Sequence, residues 1–252
     1  MEILLFSSGI DSFLADYILT KQGRQFNRVY FNLNGKYNSI ELAFLVQLYG
    51  FKGYFNVLRH INIEGLEDPE TLHVPNRNLL MATAAAGKYN ADRIWINGVK
   101  DDRAPDQGKE FYAKASEVIS LIMGKEVIVD SPLINKEKAE WCKQFVDDGN
   151  GVDSLLSNTY SCFSDKVADN SAFKYQGLNG ELSKEIYSAG CWACPACFRK
   201  ACALAYVDIY IPFKNDGLVR TYKDKINRDD HPVRHESIQK YLNFLGEISE
   251  RI

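Results

Sequence analysis

Short apolar runs and amphipathic segments take turns along the first 150 residues, and this alternation restricts the fold more than any other feature of the chain. Glu2 to Phe6 is apolar and ends at Ser7-Ser8-Gly9, the pattern of a buried strand entering a loop. Ser12 to Gln22 follows with Phe13, Leu14, Tyr17 and Ile18 at helical spacing, and Gly23 stops it. The same reading gives strands at Val29 to Leu33, Tyr54 to Leu58, Arg93 to Ile96 and Val127 to Val129. It gives helices at Ser39 to Tyr49, Asn78 to Tyr89, Lys109 to Met123 and Lys136 to Val146. Strand–helix repetition at this spacing predicts an α/β fold: a doubly wound, parallel, five-stranded sheet with right-handed crossovers.

The regularity ends near Asp147. Asp147-Asp148-Gly149-Asn150-Gly151 is turn-rich, residues 164–190 are polar, and four cysteines crowd into Cys191 to Cys202 before an apolar stretch and a charged tail. The predicted organisation is a nucleotide-type domain at 1–150 and a small helical, metal-bearing subdomain at 151–252. Thirty Lys and Arg against 33 Asp and Glu give a net charge of -3, which supplies no basic field for a duplex backbone and predicts no direct nucleic-acid partner. No apolar run approaches the roughly 20 residues of a membrane helix, so no membrane partner is predicted. The opening MEILLFSSGIDS has neither a basic lead nor a cleavage-type site, so the chain is expected to be cytoplasmic. In that compartment its six cysteines point to metal rather than to disulfides.

The turn Ser7-Ser8-Gly9-Ile10-Asp11-Ser12 joins the first strand to the first helix. In an open parallel sheet, ligands bind where such loops leave the carboxyl edge. Small residues let backbone N–H groups reach an anion, and the helix N-terminus adds donors and the positive end of its dipole. Asp11 repels a bare phosphate but suits Mg²⁺ bridging to one. The plainer alternative is a tight turn in which Ser8 or Asp11 only caps the helix.

Cys191-Trp192-Ala193-Cys194-Pro195-Ala196-Cys197 reads C-x2-C-x2-C, a spacing that turns three thiolates toward one ion. Structural zinc needs a fourth ligand, and spacing alone leaves Cys162, Cys202 and Cys142 in competition. Cys142 beside Trp141, and Cys202 among Ala201, Ala203 and Leu204, also read as core positions.

The turn SSGIDS resembles the S-G-G-x-D-S signature of the PP-loop ATP pyrophosphatases, with Ser8 in place of the first Gly. Further segments, in order, resemble one branch of that family, the 7-cyano-7-deazaguanine (preQ0) synthases of queuosine biosynthesis. Thr159-Tyr160-Ser161-Cys162-Phe163 is similar to T-W-S-C-Y. The three clustered cysteines followed by Phe198-Arg199 are similar to C-x2-C-x2-C-x-x-R. Val74-Pro75-Asn76-Arg77-Asn78 is similar to V-P-x-R-N, and Asn97-Gly98-Val99-Lys100-Asp101-Asp102 to a G-x-N-x-x-D loop. Ser131-Pro132-Leu133-Ile134 with Lys138-Ala139-Glu140, and Asn34-Gly35-Lys36 with Glu41, match two more segments. Two departures stand out. Cys162 lies 29 residues before Cys191, so 164–190 reads as an insertion, and the family's Y-P-D-C-R appears as Ala104-Pro105-Asp106-Gln107-Gly108.

The resemblance implies an adenine nucleotide alpha hydrolase-like fold and an ATP-dependent ligase. Its substrates would be 7-carboxy-7-deazaguanine and ammonia. The carboxylate becomes an acyl-adenylate, ammonia converts it to an amide, and a second activation drives loss of the amide oxygen to leave the nitrile. Carried over residue by residue, Ser7, Ser8, Gly9, Ile10, Asp11 and Ser12 bind ATP with Mg²⁺. Arg77, Asp11 and Lys100 are the catalytic candidates. Arg77, Asn78, Asp102 and Asp106 are the substrate contacts, and Cys162, Cys191, Cys194 and Cys197 hold Zn²⁺. A homodimer is also implied. Three other readings compete: a ligase that stops at 7-amido-7-deazaguanine, a PP-loop tRNA-modifying enzyme, and a zinc-bearing interaction module without activity.

Overall fold

In the computed structural model the described residues are 1–33, 38–50, 54–58, 66, 74–162, 171–176, 182–188, 190–225 and 231–249. Asn34-Gly35-Lys36, His73 and Phe163 lie outside them. The chain divides into two compact units, Met1–Asn135 and Lys136–Ile252.

The first unit runs β1 (Glu2–Leu5), α1 (Ile10–Lys21), β2 (Phe26–Phe31), α2 (Asn38–Tyr49), β3 (Asn56–Leu58), α3 (Arg77–Tyr89), β4 (Arg93–Trp95), α4 (Lys109–Met123) and β5 (Ile128–Asp130). All five strands are parallel, in the order β3-β2-β1-β4-β5. The chain builds outward from β1 to β3, then returns to the other side of β1. The reversal leaves a topological switch point between the carboxyl ends of β1 and β4, the place where such sheets bind ligands.

The sheet is buried on both faces, which is why its strands read as apolar runs rather than as alternating ones. On one face, Ile3 and Leu5 of β1, Val29 and Phe31 of β2, Ile94 of β4 and Val129 of β5 pack with Ala82, Ala85 and Ala86 of α3 and with Ala115 and Ile119 of α4. The run of alanines lets α3 lie close to the sheet. The alternate residues Leu4, Tyr30 and Trp95 point the other way and are also buried, as are Leu14, Ala15, Ile18 and Leu19 of α1. β2 begins three residues before the predicted start because Arg28 is neutralised where it stands. Its guanidinium bonds Asp16 at 2.6 Å and lies over the rings of Phe26 and Tyr54.

The second unit comprises α5 (Lys138–Asp147), α6 (Asp153–Ser157), β6 (Ser171–Gln176), β7 (Leu182–Ser188), α7 (Pro195–Ala205), α8 (Asp216–Lys225) and α9 (Pro232–Ser249). α5 belongs here, packed with α7 and α9, whereas the sequence reading drew its boundary at residue 150. The polar 164–190 segment contains an antiparallel pair, β6 with β7, that carries a register shift between Phe173 and Tyr175. The stretch read as a charged tail is in fact two helices. Ile238, Tyr241 and Leu242 of α9 are buried, and Tyr241 stacks edge-on against Phe198 of α7 at 5.6 Å. Alternating charge on the outer faces had hidden that apolar stripe.

Candidate functional site

The loop between β1 and α1 closes on itself through serine hydroxyls. Ser7 N–H donates to Ser12 Oγ at 2.7 Å, and Gly9 N–H donates to Ser7 Oγ at 3.2 Å. The helical ladder of α1 begins with Phe13 N–H to Gly9 C=O, so the amides of Ile10, Asp11 and Ser12 precede it at the positive end of the dipole. Ile10 is 2% exposed; its side chain is core, and only its amide can serve a ligand. Ser8 does not occupy the left-handed region, and Gly9 has φ -65°, so the loop needs no glycine conformation where the family's first Gly is replaced.

The Ser8 hydroxyl instead takes up a new bond, donating to Glu41 Oε1 at 3.4 Å. Glu41 also accepts from Tyr30 Oη at 2.9 Å and from Asn38 Nδ2 at 3.4 Å. Burial holds the Glu41 carboxyl above its ordinary range; the Tyr30 hydrogen bond and the Arg77 guanidinium pull it partly back. Arg77 therefore lies within electrostatic reach of the residue that touches the loop. Sequence reasoning placed Glu41 only within a matched segment; the buried Tyr30 opposite it was the missing signal.

Arg77 opens α3, half-buried, after Asn76 in the left-handed conformation at φ 62°. Asn tolerates that conformation better than other non-glycine residues. Asn76, not Asn78, is the residue at the helix boundary. Asn78 is buried and braces the loop after β4: its Nδ2 donates to Asp106 C=O at 3.0 Å and its N–H to Asp106 Oδ2 at 3.4 Å. The structure thus brings Asn78 and Asp106 together, with Asp106 turned inward. Asp102 closes a turn by accepting Val99 N–H at 2.9 Å, and Lys100 is exposed beside it.

Across the switch point, Asn97 Nδ2 donates to Leu5 C=O at 2.6 Å and pins the β4 loop to the end of β1. Gly98 follows, and its carbonyl accepts Ser131 Oγ at 2.6 Å from the loop after β5. A Cβ on Gly98 would stand 2.0 Å from Tyr112 Oη and 2.9 Å from Gln107 C=O, so only glycine fits.

In the second unit, the sulfurs of Cys162, Cys191, Cys194 and Cys197 lie within 4.8 Å of one another. Four thiolates about 2.3 Å from Zn²⁺ would be separated by roughly 3.8 Å, so the set fits a tetrahedral ion. Cys191 N–H points to Cys162 Sγ at 3.3 Å, and Cys197 N–H to Cys194 Sγ at 3.5 Å. Cys194 caps α7, and Pro195 starts it, a position where a missing N–H costs nothing. The turn is tight: Trp192 is fully buried at φ 50°, and a Cβ on Gly190 would touch Cys197 Sγ and the Trp192 ring at 3.3 Å. The antiparallel β6–β7 pair lies between Cys162 and Cys191 in sequence. Cys142 and Cys202 are buried outside the cluster.

Sequence reasoning passed over Lys200. Arg199 is exposed, but Lys200 is 2% exposed, donates to Thr159 C=O at 2.7 Å and lies 5.7 Å from the Trp192 ring centre. Burial pushes its ammonium down to about 7, against an upward pull from Cys197, Cys142 and Cys162.

A five-stranded parallel sheet with a serine-rich loop at its switch point, together with a separate four-cysteine cluster, defines a PP-loop-like α/β protein with a metal-type centre. The family described as "Queuosine biosynthesis protein QueC" matches residues 56–208, and the chain belongs to it. Similar proteins include the "7-cyano-7-deazaguanine synthase" of Buchnera aphidicola subsp. Schizaphis graminum, 25% identical over 79% of this chain and 87% of its own. Proteins of the same name from Nitratiruptor sp. (29% identical, 64% and 83% covered) and Bacillus subtilis (26%, 79% and 91%) are also similar. Among the described residues, no helix is long and apolar enough to cross a membrane.

Proposed function

We propose that the chain is an ATP-dependent carbon–nitrogen ligase that converts 7-carboxy-7-deazaguanine and ammonia into 7-cyano-7-deazaguanine. Membership in the QueC family and the names of its relatives support this reading. The observation that carries it furthest is the chain of contacts at the switch point: the Ser7–Ser12 loop, Ser8 bonded to Glu41, and Glu41 within electrostatic reach of Arg77.

A carboxylate is a poor electrophile. In this reading a carboxylate oxygen attacks the α-phosphate of ATP, pyrophosphate leaves into the Ser7–Ser12 loop, and an acyl-adenylate forms. Ammonia adds to the acyl carbon and expels AMP, leaving the primary amide. The amide oxygen then attacks the α-phosphate of a second ATP, expelling pyrophosphate, and loss of AMP together with both amide N–H protons leaves the nitrile. The residues of this chain bind, orient and exclude water. The amides of Ile10, Asp11 and Ser12 face the leaving pyrophosphate, and the forked guanidinium of Arg77 suits either the carboxylate or the α-phosphate. Asp11 is the residue suited to Mg²⁺, which neutralises phosphate charge when bound. Lys100 and Asp102 flank the site on the β4 loop. Asp106 supports it from beneath through Asn78. Cys162, Cys191, Cys194 and Cys197 would hold structural Zn²⁺, which cross-links the second unit. The protein works as a cytoplasmic homodimer on small molecules.

The altered loop Ala104-Pro105-Asp106-Gln107-Gly108 favours a second reading, in which the reaction stops at the amide. Mass spectrometry of products from the carboxy acid, ATP and ammonia separates the two. Nitrile supports the first reading, accumulated amide the second, and acid-independent or absent pyrophosphate release sinks both.

A further inference from the structure

Lys200 is the single Lys or Arg among the described residues that is fully buried. Its surroundings are the ligand-bearing segments themselves. It sits on α7 one turn beyond Cys197. Its Nζ donates to the carbonyl of Thr159, three residues before Cys162, and it lies over the ring of Trp192, next to Cys191. A buried ammonium without a counter-charge is unfavourable, and the thiols of Cys197 and Cys162 are among the groups that favour its charged form.

The charge balance of the centre runs the other way. Four thiolates around a divalent cation carry a net charge of about minus two. Cys162 and Cys197 are 3% and 2% exposed while Cys191 and Cys194 are partly exposed, so water screens that charge only on the Cys191–Cys194 side. The N–H groups of Cys191 and Cys197 and the start of α7 offset part of it, the helix end supplying roughly half a unit charge. Lys200 supplies a whole unit from the buried side.

We propose that Lys200 is the built-in counter-cation of the metal–tetrathiolate centre and a positioning residue that ties the Cys162 segment to α7. This rests on the metal reading of the four cysteines given above. Charge and tether act together: the same ammonium that balances the thiolates bonds the backbone leading to the one ligand remote in sequence. Lys200 serves the centre only when an ion is present; without one, its burial favours the neutral amine.

The test uses the full chain and its Lys200→Met and Lys200→Arg variants. Zinc affinity is measured by competition with a chromophoric chelator, tetrahedral thiolate ligation by the visible bands of the cobalt-loaded form, and melting temperature with and without zinc. Lys200→Met should bind zinc about tenfold or more weakly, whereas Lys200→Arg, which keeps the charge, should stay within about threefold of the parent. The melting temperature of Lys200→Met should fall in the zinc-loaded form and hold or rise in the metal-free form. A Lys200→Met chain that holds zinc as tightly as the parent, or loses equal melting temperature in both forms, overturns the proposal. A parent chain that takes up neither zinc nor cobalt overturns the metal reading itself and the proposal with it.

Discussion

Replacing Gly98 with Ala tests how tightly the loops at the switch point are fitted. The added Cβ would stand 2.0 Å from Tyr112 Oη, more than an ångström inside the roughly 3.3 Å of a close C···O contact. Tyr112 cannot swing clear, because it lies on the buried face of α4 and is 3% exposed. A second obstacle is fixed backbone, the Gln107 carbonyl at 2.9 Å. Overpacking of this kind costs about 1–3 kcal/mol, and the loop has to shift to relieve it. That shift would carry along the Gly98 carbonyl, which holds Ser131, and Asn97, which holds Leu5. Urea midpoints of the parent, Gly98→Ala, Tyr112→Phe and the double variant give the coupling. Tyr112→Phe alone should cost about 1 kcal/mol or less, through the lost contact between its hydroxyl and the Gly98 backbone. In the double variant the missing oxygen should restore part of the loss, with a coupling of about 0.5–2 kcal/mol, while the Gln107 contact keeps the recovery incomplete. Strictly additive effects, or a Gly98→Ala chain as stable as the parent, would refute the fitted-loop argument.

Other outcomes follow from the same geometry. Ser8→Gly should cost about 1 kcal/mol through loop entropy and the lost bond to Glu41, with no left-handed strain to relieve, and should lower acid-dependent pyrophosphate release several-fold; turnover at the parent level would contradict the role given to the Ser8–Glu41 contact. Arg77→Lys should lower kcat/KM by about a hundredfold without moving the urea midpoint, because an ammonium loses the fork while the half-buried position tolerates either side chain. Glu41 has a folded pKa above 4.5, so its contribution to stability is full below that value and is lost as pH rises through the folded pKa. Glu41→Gln should therefore match the parent near pH 4 and exceed it at pH 7 to 8 in thermal melts; the reverse order would show that the carboxylate stabilises the fold. Chelation, or Cys194→Ala, should lower the melting temperature of the chain and bring bound zinc from about one per chain to none; an unchanged melt would deny the ion a structural role.

The parts of the fold that were legible are those where local signals agree. α4 spans Lys109–Met123 as read, because Gly108 and Gly124 punctuate an apolar stripe of Tyr112, Ala115 and Ile119. The first two residues of α1 were not legible, since Ile10 and Asp11 look like loop until the backbone of Gly9 caps them. α9 was missed because its buried residues are spread among charges, and tertiary partners such as Phe198 and Tyr210 mark the face. Within the site, the serine loop and the three close cysteines announced themselves by spacing. Cys162 did not: its place in the cluster depends on how the chain returns after 29 residues, a long-range property. Glu41 and Lys200 escaped because a charged residue on a helix is read as solvated by default. Each is held inside by a partner distant in sequence, Ser8 for the first and Thr159 for the second.

The segment between Cys162 and Cys191 begins and ends at sulfurs of one cluster. Once an ion is gripped, the two ends of the intervening sequence are riveted. Doubling the length of such a loop adds only about 0.6 kcal/mol of closure entropy, so a change of length there costs the ligands little, while β7 remains packed against α6. The cluster thereby makes the stretch between its remote ligands a place where length can change at little cost to the centre.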